Sequence, residues 1–275
     1  MTKSILITGC SSGIGFDCAQ TLHARGWTVF ASCRKQADCD RLIAMGLHSP
    51  RLDHADHDSI RETFDYITQH TGGTLDAVFN NGAFAIPGLL EDVPTDALRD
   101  IFETNFFGYH QVTRHALPIM RAQGHGRILH CSSVLGIVAL RWRGAYNSTK
   151  FAIEGWADTM RLELQRTGIK IILIEPGPIT TKIRENSIPG FERWIDVENS
   201  PSKNLYKLLR ARLYSKDTGK DTFELPPSAV TQKVIHALES TKPKPRYYVT
   251  WATHIMGALK RVLTTRALDR IAGRL

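Results

Sequence analysis

The sequence predicts an α/β fold: a doubly wound parallel sheet with helices on both faces and a small helical region near the C-terminus. Three observations predict it. Over the front two-thirds, short β-branched runs alternate with longer segments of helical periodicity, the pattern of a parallel sheet covered on both sides. A glycine-rich turn follows the first of these runs and opens a helix. The chain has 275 residues, 42% of them hydrophobic, which suits one large core at the upper end of what a single core spans.

The candidate strands are Ser4–Thr8, Thr28–Cys33, Leu75–Asn80, Arg127–Ser132 and Lys170–Glu175, with a weaker one around His48–Leu52. Most read as buried. Between the first two, Ile14, Cys18, Ala19 and Leu22 recur at helical spacing, and Gly26 stands where a left-handed cap would stop the helix. Residues 3–33 therefore form one βαβ unit. A long helical stretch runs from about Thr95 to Gln123 with Pro118 as a candidate kink, and another from about Tyr146 to Arg166, stopped by Gly168. Prolines at 176, 178, 189 and 201 mark a looped insertion, and Pro226-Pro227 precede a further helical pattern, Ser228–Glu239. Neither internal repeats nor low-complexity segments are present.

The formal charge is +8, but the cations are scattered except near the C-terminus and no nucleic-acid reading motif accompanies them. A phosphorylated cofactor suffices as the acidic partner, and nucleic acid is not expected. The cysteines, at 10, 18, 33, 39 and 131, have neither CxxC pairing nor metal-ligand spacing, and their odd number argues against a disulfide framework. Reduced, buried thiols and no metal site are expected. No leader-like start and no run of about 20 apolar residues is visible, so a soluble cytoplasmic protein is expected. The last stretch, His254 to Leu275, mixes Ile255, Leu259, Val262, Leu268 and Ile271 with Lys260, Arg261, Arg266, Arg270 and Arg274. Such a basic amphipathic pattern suits a membrane surface, but its commoner use is to cover a pocket or a subunit contact.

After the first strand comes Thr8-Gly9-Cys10-Ser11-Ser12-Gly13-Ile14-Gly15. Glycines permit tight turning and close approach, and free amides at a helix start attract a phosphate. Gly9, Ser11, Ser12, Gly13, Ile14 and Gly15 are the candidate pyrophosphate contacts of a Rossmann-type dinucleotide site. An NAD enzyme would place an acid at the end of the second strand for the ribose hydroxyls. Here Ser32, Cys33 and Arg34 stand there, and a guanidinium pairs with a 2′-phosphate, so NADP(H) is the expected cofactor.

Tyr146-Asn147-Ser148-Thr149-Lys150 puts a phenol and an ammonium four apart at the start of a predicted helix, on one face. A nearby cation favours the phenolate and so brings a tyrosine toward acid–base duty. Thirteen residues before Tyr146, the strand Gly126–Ser133 ends in two hydroxyls.

On these motifs residues 3 to 181 resemble the short-chain dehydrogenase/reductase family. The resemblance implies that Ser133 bonds the substrate oxygen, Tyr146 is the acid/base and Lys150 holds the nicotinamide ribose. It also implies that Asn105, in Glu103-Thr104-Asn105-Phe106-Phe107-Gly108, holds a water linking the lysine to solvent. Asp53 matches a position that meets adenine. Asn80-Asn81-Gly82-Ala83 matches a segment usually ordered Asn-Asn-Ala-Gly, a swap that puts its backbone geometry in question while Asn80 keeps its place. Pro176-Gly177-Pro178-Ile179-Thr180-Thr181 matches the loop over the nicotinamide, with Pro176, Gly177, Ile179 and Thr181 as contacts.

The resemblance further implies one domain over residues 1–275, with a cofactor-binding and catalytic core at 1–181, a substrate lid at 182–245, and a last strand and amphipathic helix at 246–275. In the lid, Ile183, Ile188, Phe191, Trp194, Ile195, Leu205, Tyr206, Leu208 and Leu209 offer apolar surface, either to a hydrophobic substrate or to a small core of the lid itself. Within the family the sequence is similar to the branch of retinol and 17β-hydroxysteroid dehydrogenases and to bacterial NADP-dependent aldehyde reductases. The expectation is thus an NADP(H)-dependent oxidoreductase for a small hydrophobic carbonyl or alcohol, a homodimer or homotetramer joined through helices near Phe106–Gln123 and Tyr146–Arg166. The rival reading is a catalytically silent NADP(H)-sensing protein, which would have no need of Tyr146 and Lys150.

Overall fold

Short, largely apolar runs are buried on both faces in the central strands, and in this computed structural model, which describes residues 2–215 and 221–273, the six strands pair in parallel in the order β2-β1-β3-β4-β5-β6. The strands are β1 (Ser4–Ile7), β2 (Thr28–Ala31), β3 (Ala77–Asn80), β4 (Gly126–Cys131), β5 (Ile169–Glu175) and β6 (Arg246–Tyr248). Between them run α1 (Gly13–Ala24), then α2 (Gln36–Ala44) and α3 (His57–Thr71), then α4 (Thr95–Phe102) and α5 (Gly108–Gln123), then α6 (Gly144–Glu163). Helices α7 (Ile183–Trp194), α8 (Tyr206–Tyr214) and α9 (Ser228–Glu239) separate β5 from β6, and α10 (Trp251–Val262) and α11 (Thr265–Ala272) follow.

Alternation along the strands divides the core. Ile5, Ile7, Val29, Phe79, Leu129 and Ile172 pack one face against Cys18 and Leu22 of α1 and Val230 and Val234 of α9. Leu6, Phe30, Val78, Ile128 and Leu173 pack the other against α3, α5 and α6. The order reverses beside β1: the chain steps out to β2, then returns past β1 to β3, with Ile7 level with both Ala31 and Phe79. At such a switch point the diverging connections leave a crevice at the carboxyl ends of the strands.

The five strong strand expectations hold with small shifts at their ends. The weak one does not: His48 and Arg51 make only isolated bridges, to Phe30 and Cys33, because Pro50 between them has no N–H to give a ladder. The expected helix Thr95–Gln123 is interrupted by a π-helical turn, Glu103–Phe107. The expected looped insertion is corrected too: α7 runs through Pro189, since burial of Phe191 on one side of it outweighs the local penalty of proline. The single amphipathic helix expected at the C-terminus is two, α10 ending at an extended Leu263 and α11 capped by Thr264, whose Oγ1 accepts from Ala267 N at 3.4 Å. Arg274 and Leu275 of that expectation lie outside the described residues. No helix among the described residues is long and apolar enough to cross a membrane, no group of metal ligands is found among them, and all five cysteines are free and buried.

The sheet edge beside the site is tied by charge. Arg246 on β6 donates to Glu154 and, at 2.7 Å, to Asp158 on α6, and at 2.5 Å to Glu175, the last residue of β5. Glu175 has no solvent exposure, and burial first, then the Glu154 carboxylate, push its pKa upward while Arg246 opposes them. Removing one member of such a buried set strands its partners. We expect Arg246→Met to destabilise the fold by about 3 kcal/mol, read by urea denaturation; a change well under 1 kcal/mol would mean the carboxylates are solvated enough to do without it.

Candidate active site

The glycine-rich turn leaves β1 where side chains do not fit. Gly9 has φ +73°, and a Cβ there would stand 2.5 Å from Gly82 Cα; one on Gly15 would stand 2.5 Å from Gly9 O. Asn81 straps the turn from β3, its Nδ2 donating to Thr8 O at 3.0 Å and Gly9 O at 3.3 Å, while Thr8 Oγ1 accepts from the amides of Asn81 and Gly82 at 2.9 and 3.1 Å. The swapped order is thereby explained: Gly82 is the residue that lies against Gly9 and against the ring of His54.

Ser11, Ser12, Gly13, Ile14 and Gly15 open α1. Ser12, extended at the N-cap, makes no side-chain bond to the first-turn amides, so these face the crevice as donors to an anion. Thr181, from the loop after β5, closes on them, its Cγ2 3.1 Å from where a Cβ on Gly13 would be. That loop is fixed at both ends. Pro176 O accepts from Val134 N at 2.7 Å, Gly177 is pressed against Thr250, and Ile179 pairs with Leu225 as a parallel bridge.

At the end of β2, Arg34 is exposed and forms no ion pair with a described residue. Sequence reasoning missed a second cation on the same rim: Arg41 of α2 donates to Ser11 O at 2.6 Å with its guanidinium 5.3 Å from the Phe16 ring centre. Only its helical distance from Arg34 could have signalled it. Asp53 caps its own turn, accepting from Ala55 N at 3.1 Å, and stays half-buried. Asn80 is not brought to the crevice surface. Its side chain is fully buried, with Nδ2 donating to Thr113 Oγ1 at 3.3 Å and lying 3.2 Å from His130 Nδ1, so it supports the floor.

Ser133, Tyr146, Lys150 and Asn105 are brought together at the ends of β4 and β5. Of the two hydroxyls after β4, Ser132 turns back to donate to Glu154. Ser133 accepts from Leu135 N at 3.1 Å, and its hydroxyl lies near enough to the Tyr146 phenol to oppose the rise of that group's pKa. Lys150 is fully buried; its Nζ donates to Cys131 O at 2.6 Å and stands 5.3 Å from the Tyr146 ring centre and 5.5 Å from that of Tyr109. Burial pushes the Lys150 pKa down to about 8, opposed by Cys131 and Glu154. Burial also raises the Tyr146 phenol above its ordinary value, and Arg143 and the neighbouring Ser133 hydroxyl oppose that. The phenol is therefore neutral in this form. Asn105, fully buried in the π-helical turn, accepts from Phe84 N at 3.0 Å and donates to Phe84 O at 2.9 Å and Thr149 Oγ1 at 3.3 Å. An extra residue in a helical turn re-aims one side chain, and here it is this one.

Behind Lys150 lies a buried aromatic layer. Tyr109 meets His54 edge-on at 5.3 Å and stacks with His130 at 6.1 Å, and His130 meets Trp156 at 4.9 Å. Burial pushes the His54 pKa down to about 4, and burial with the Lys150 charge pushes His130 to about 3.

A family profile described as short chain dehydrogenase matches residues 3–190. An uncharacterized oxidoreductase of Escherichia coli strain K12, YbbO, is 40% identical over 271 residues, 98% of this chain and 94% of that protein. An NADPH-dependent 3-dehydrocapnine reductase of Ornithobacterium rhinotracheale is 30% identical over 97% of this chain and 94% of that protein. Among solved structures, a short-chain dehydrogenase/reductase from Burkholderia phymatum in complex with NAD superposes with a TM-score of 0.77 at 22% identity, covering 99% of this chain and 95% of that one.

The two histidines make acid stability a test of this interior. Unfolded, each takes a proton below its ordinary value of 6.5; folded, neither does until about 4 and about 3. The unfolded state then binds more protons, so stability is complete above pH 6.5 and is lost as the pH falls toward those folded values. The expected slope is roughly 1.4 kcal/mol per pH unit for each histidine, measured by urea denaturation at descending pH, and His130→Gln should halve it. A stability that stays flat through that window would mean the rings become charged inside the fold.

Proposed function

The chain belongs to the short-chain dehydrogenase family and is an oxidoreductase; we propose that it interconverts a carbonyl, foremost a hydrophobic aldehyde, and its alcohol, with NADP(H) as cofactor and Tyr146 as acid/base. One observation carries the reading: Ser133 and Tyr146 stand with the buried Lys150 at the end of β4, and a glycine cradle that a Cβ would fill stands at the end of β1, both at the carboxyl ends of one parallel sheet.

The residues fit the cofactor. Gly9, Ser11, Ser12, Gly13, Ile14 and Gly15 would hold its pyrophosphate, Arg34 with Arg41 the 2′-phosphate, Asp53 the adenine, Tyr146 and Lys150 the nicotinamide ribose, and Pro176, Gly177, Ile179 and Thr181 the nicotinamide end, with Asn80 beneath. When bound, NADPH supplies a hydride to the carbonyl carbon. Ser133 and Tyr146 donate to the carbonyl oxygen and so favour the charge that develops on it. Tyr146, neutral through burial, gives its proton to that oxygen as the C–H bond forms. The Lys150 ammonium then faces the phenolate and stabilises it, and Asn105 and Lys150 line the way by which a proton returns from solvent. Oxidation of the alcohol uses the same groups in reverse.

NADP over NAD is supported by the cations Arg34, after β2, and Arg41, on α2, and by a relative described as NADPH-dependent. We assign residues 182–245 as the lid of a single domain. Phe191, Ile195, Tyr206 and Leu209 are buried in a cluster shared with Ile86, Ala97, Ile101 and Ala145, which lie outside the lid, while Ile183, Leu205 and Leu208 face outward. Ile188 and Trp194, partly buried in the cluster that holds Tyr146, are left as apolar wall for a substrate. A homodimer or homotetramer through the α5 and α6 faces is supported by exposed Phe107, Phe151 and Leu162. Five unpaired thiols suit the cytoplasm.

Tyr146→Phe should lower kcat for NADPH-dependent aldehyde reduction by about two to four orders of magnitude with little change in NADPH affinity; retained turnover would overturn the assignment of Tyr146. Arg34→Glu should raise the KM for NADPH by about tenfold or more while leaving that for NADH nearly unchanged. A variant that raises both alike would remove the 2′-phosphate from the role of Arg34.

A further inference from the structure

Beside Tyr146 lies a cation that the reaction as derived does not use. Arg143 follows Trp142, whose φ is 61°; among the described residues only Trp142 and Phe223, at 66°, are non-glycine residues in the left-handed region. A bulky side chain is strained there, and such strain persists where surrounding contacts enforce it. Here Gly88 N donates to Trp142 O at 3.1 Å, Gly88 pairs with Arg143 as an isolated bridge, and the Trp142 ring packs into the cluster that includes Tyr146 and the lid. The turn sets Arg143 at the N-cap of α6, three residues before Tyr146.

Among the described residues, the charges around its half-buried guanidinium do not neutralise it. They are Arg184 of α7, Arg212 of α8, Asp221 and the Tyr146 phenol. Asp221 is already engaged: Arg212 Nη2 donates to both its oxygens, at 2.8 and 3.1 Å, and Arg184 lies 3.6 Å from it. Glu224, on the same segment, accepts from Thr180 Oγ1 at 2.6 Å and from Asp221 N at 2.9 Å. Among the described residues Arg143 has no ion pair. Among the described residues three guanidinium groups thus gather around the Asp221 carboxylate, an arrangement that a further anion would favour. Phe223, the other strained residue, adjoins the same cluster two positions after Asp221.

We propose that Arg143, with Arg184 nearby, seats a carboxylate of the substrate, which makes the substrate an oxo acid with an apolar body and the product the corresponding hydroxy acid. A planar guanidinium fork matches a carboxylate in shape as well as charge. The inference rests on Tyr146 being the group that meets the carbonyl oxygen, so that the reacting end and the acid-binding end share one site. The apolar wall of Ile188 and Trp194 serves the body between them.

Two measurements test it. In the first, azelaic semialdehyde is compared with its methyl ester in NADPH-dependent turnover. The wild type should favour the acid in kcat/KM by about tenfold or more, Arg143→Gln should abolish the preference, and Arg143→Lys should restore part of it. In the second, calorimetric titration with decanoate and decanamide reads the seat without chemistry: the acid should bind more tightly, and the difference should vanish in Arg143→Gln. Equal kcat/KM for acid and ester in the wild type, equal binding of decanoate and decanamide, or an Arg143→Gln variant that weakens acid and neutral compounds alike would each overturn the seat. No turnover of either aldehyde, with the decanoate preference intact, would uphold the seat and overturn the reductase reading instead.

Discussion

The bond from Lys150 Nζ to the carbonyl of Cys131, the last residue of β4, is the contact on which the catalytic arrangement depends. It carries a cation into the interior and pins α6 to the end of β4 at one stroke. The position of Tyr146 over the lysine follows, because both lie on one face of α6. So does the division of labour between the two serines, since α6 also presents Glu154, which takes the Ser132 hydroxyl and leaves Ser133 for the phenol. A sheet whose strands were less level at their carboxyl ends could not bring this point and the glycine turn to the same crevice.

Much of this was legible in the sequence, and the reason is local. Strands buried on both faces are nearly unbroken apolar runs, a glycine at a positive φ has no substitute of equal ease, and Tyr146 and Lys150 are spaced by a helical turn. What the sequence concealed depends on contacts between distant segments. Asn80 reads as a cofactor contact until Thr113 and His130 are seen to hold its amide, and Asn81 beside it proves to be the strap. Arg41 is an ordinary helix residue until its reach to Ser11 is known. Pro189 reads as a helix stop, yet burial overrules it.

Charge, by contrast, was legible only in total. A surplus of cations says nothing of where they converge, and the chain spends them in three different ways. Arg246 is consumed by carboxylates to hold an edge strand. Arg34, after β2, and Arg41, on α2, stand beside the phosphate-facing turn. Among the described residues, Arg143, Arg184 and Arg212 gather around Asp221. Only the second of these groups had a pattern, the missing acid after β2, that could be recognised without the fold.

The burial of the cysteines has a consequence for following the molecule in time. Cys10, Cys18, Cys33, Cys39 and Cys131 all belong to the core on the α1 and α9 side of the sheet, and burial holds Cys18 and Cys33 near a pKa of about 12. Alkylating reagents attack thiolates, so the closed molecule is inert to them and each label records an opening of that one layer. The unaltered chain thus contains its own clock for the breathing of the layer between the sheet and helices α1 and α9.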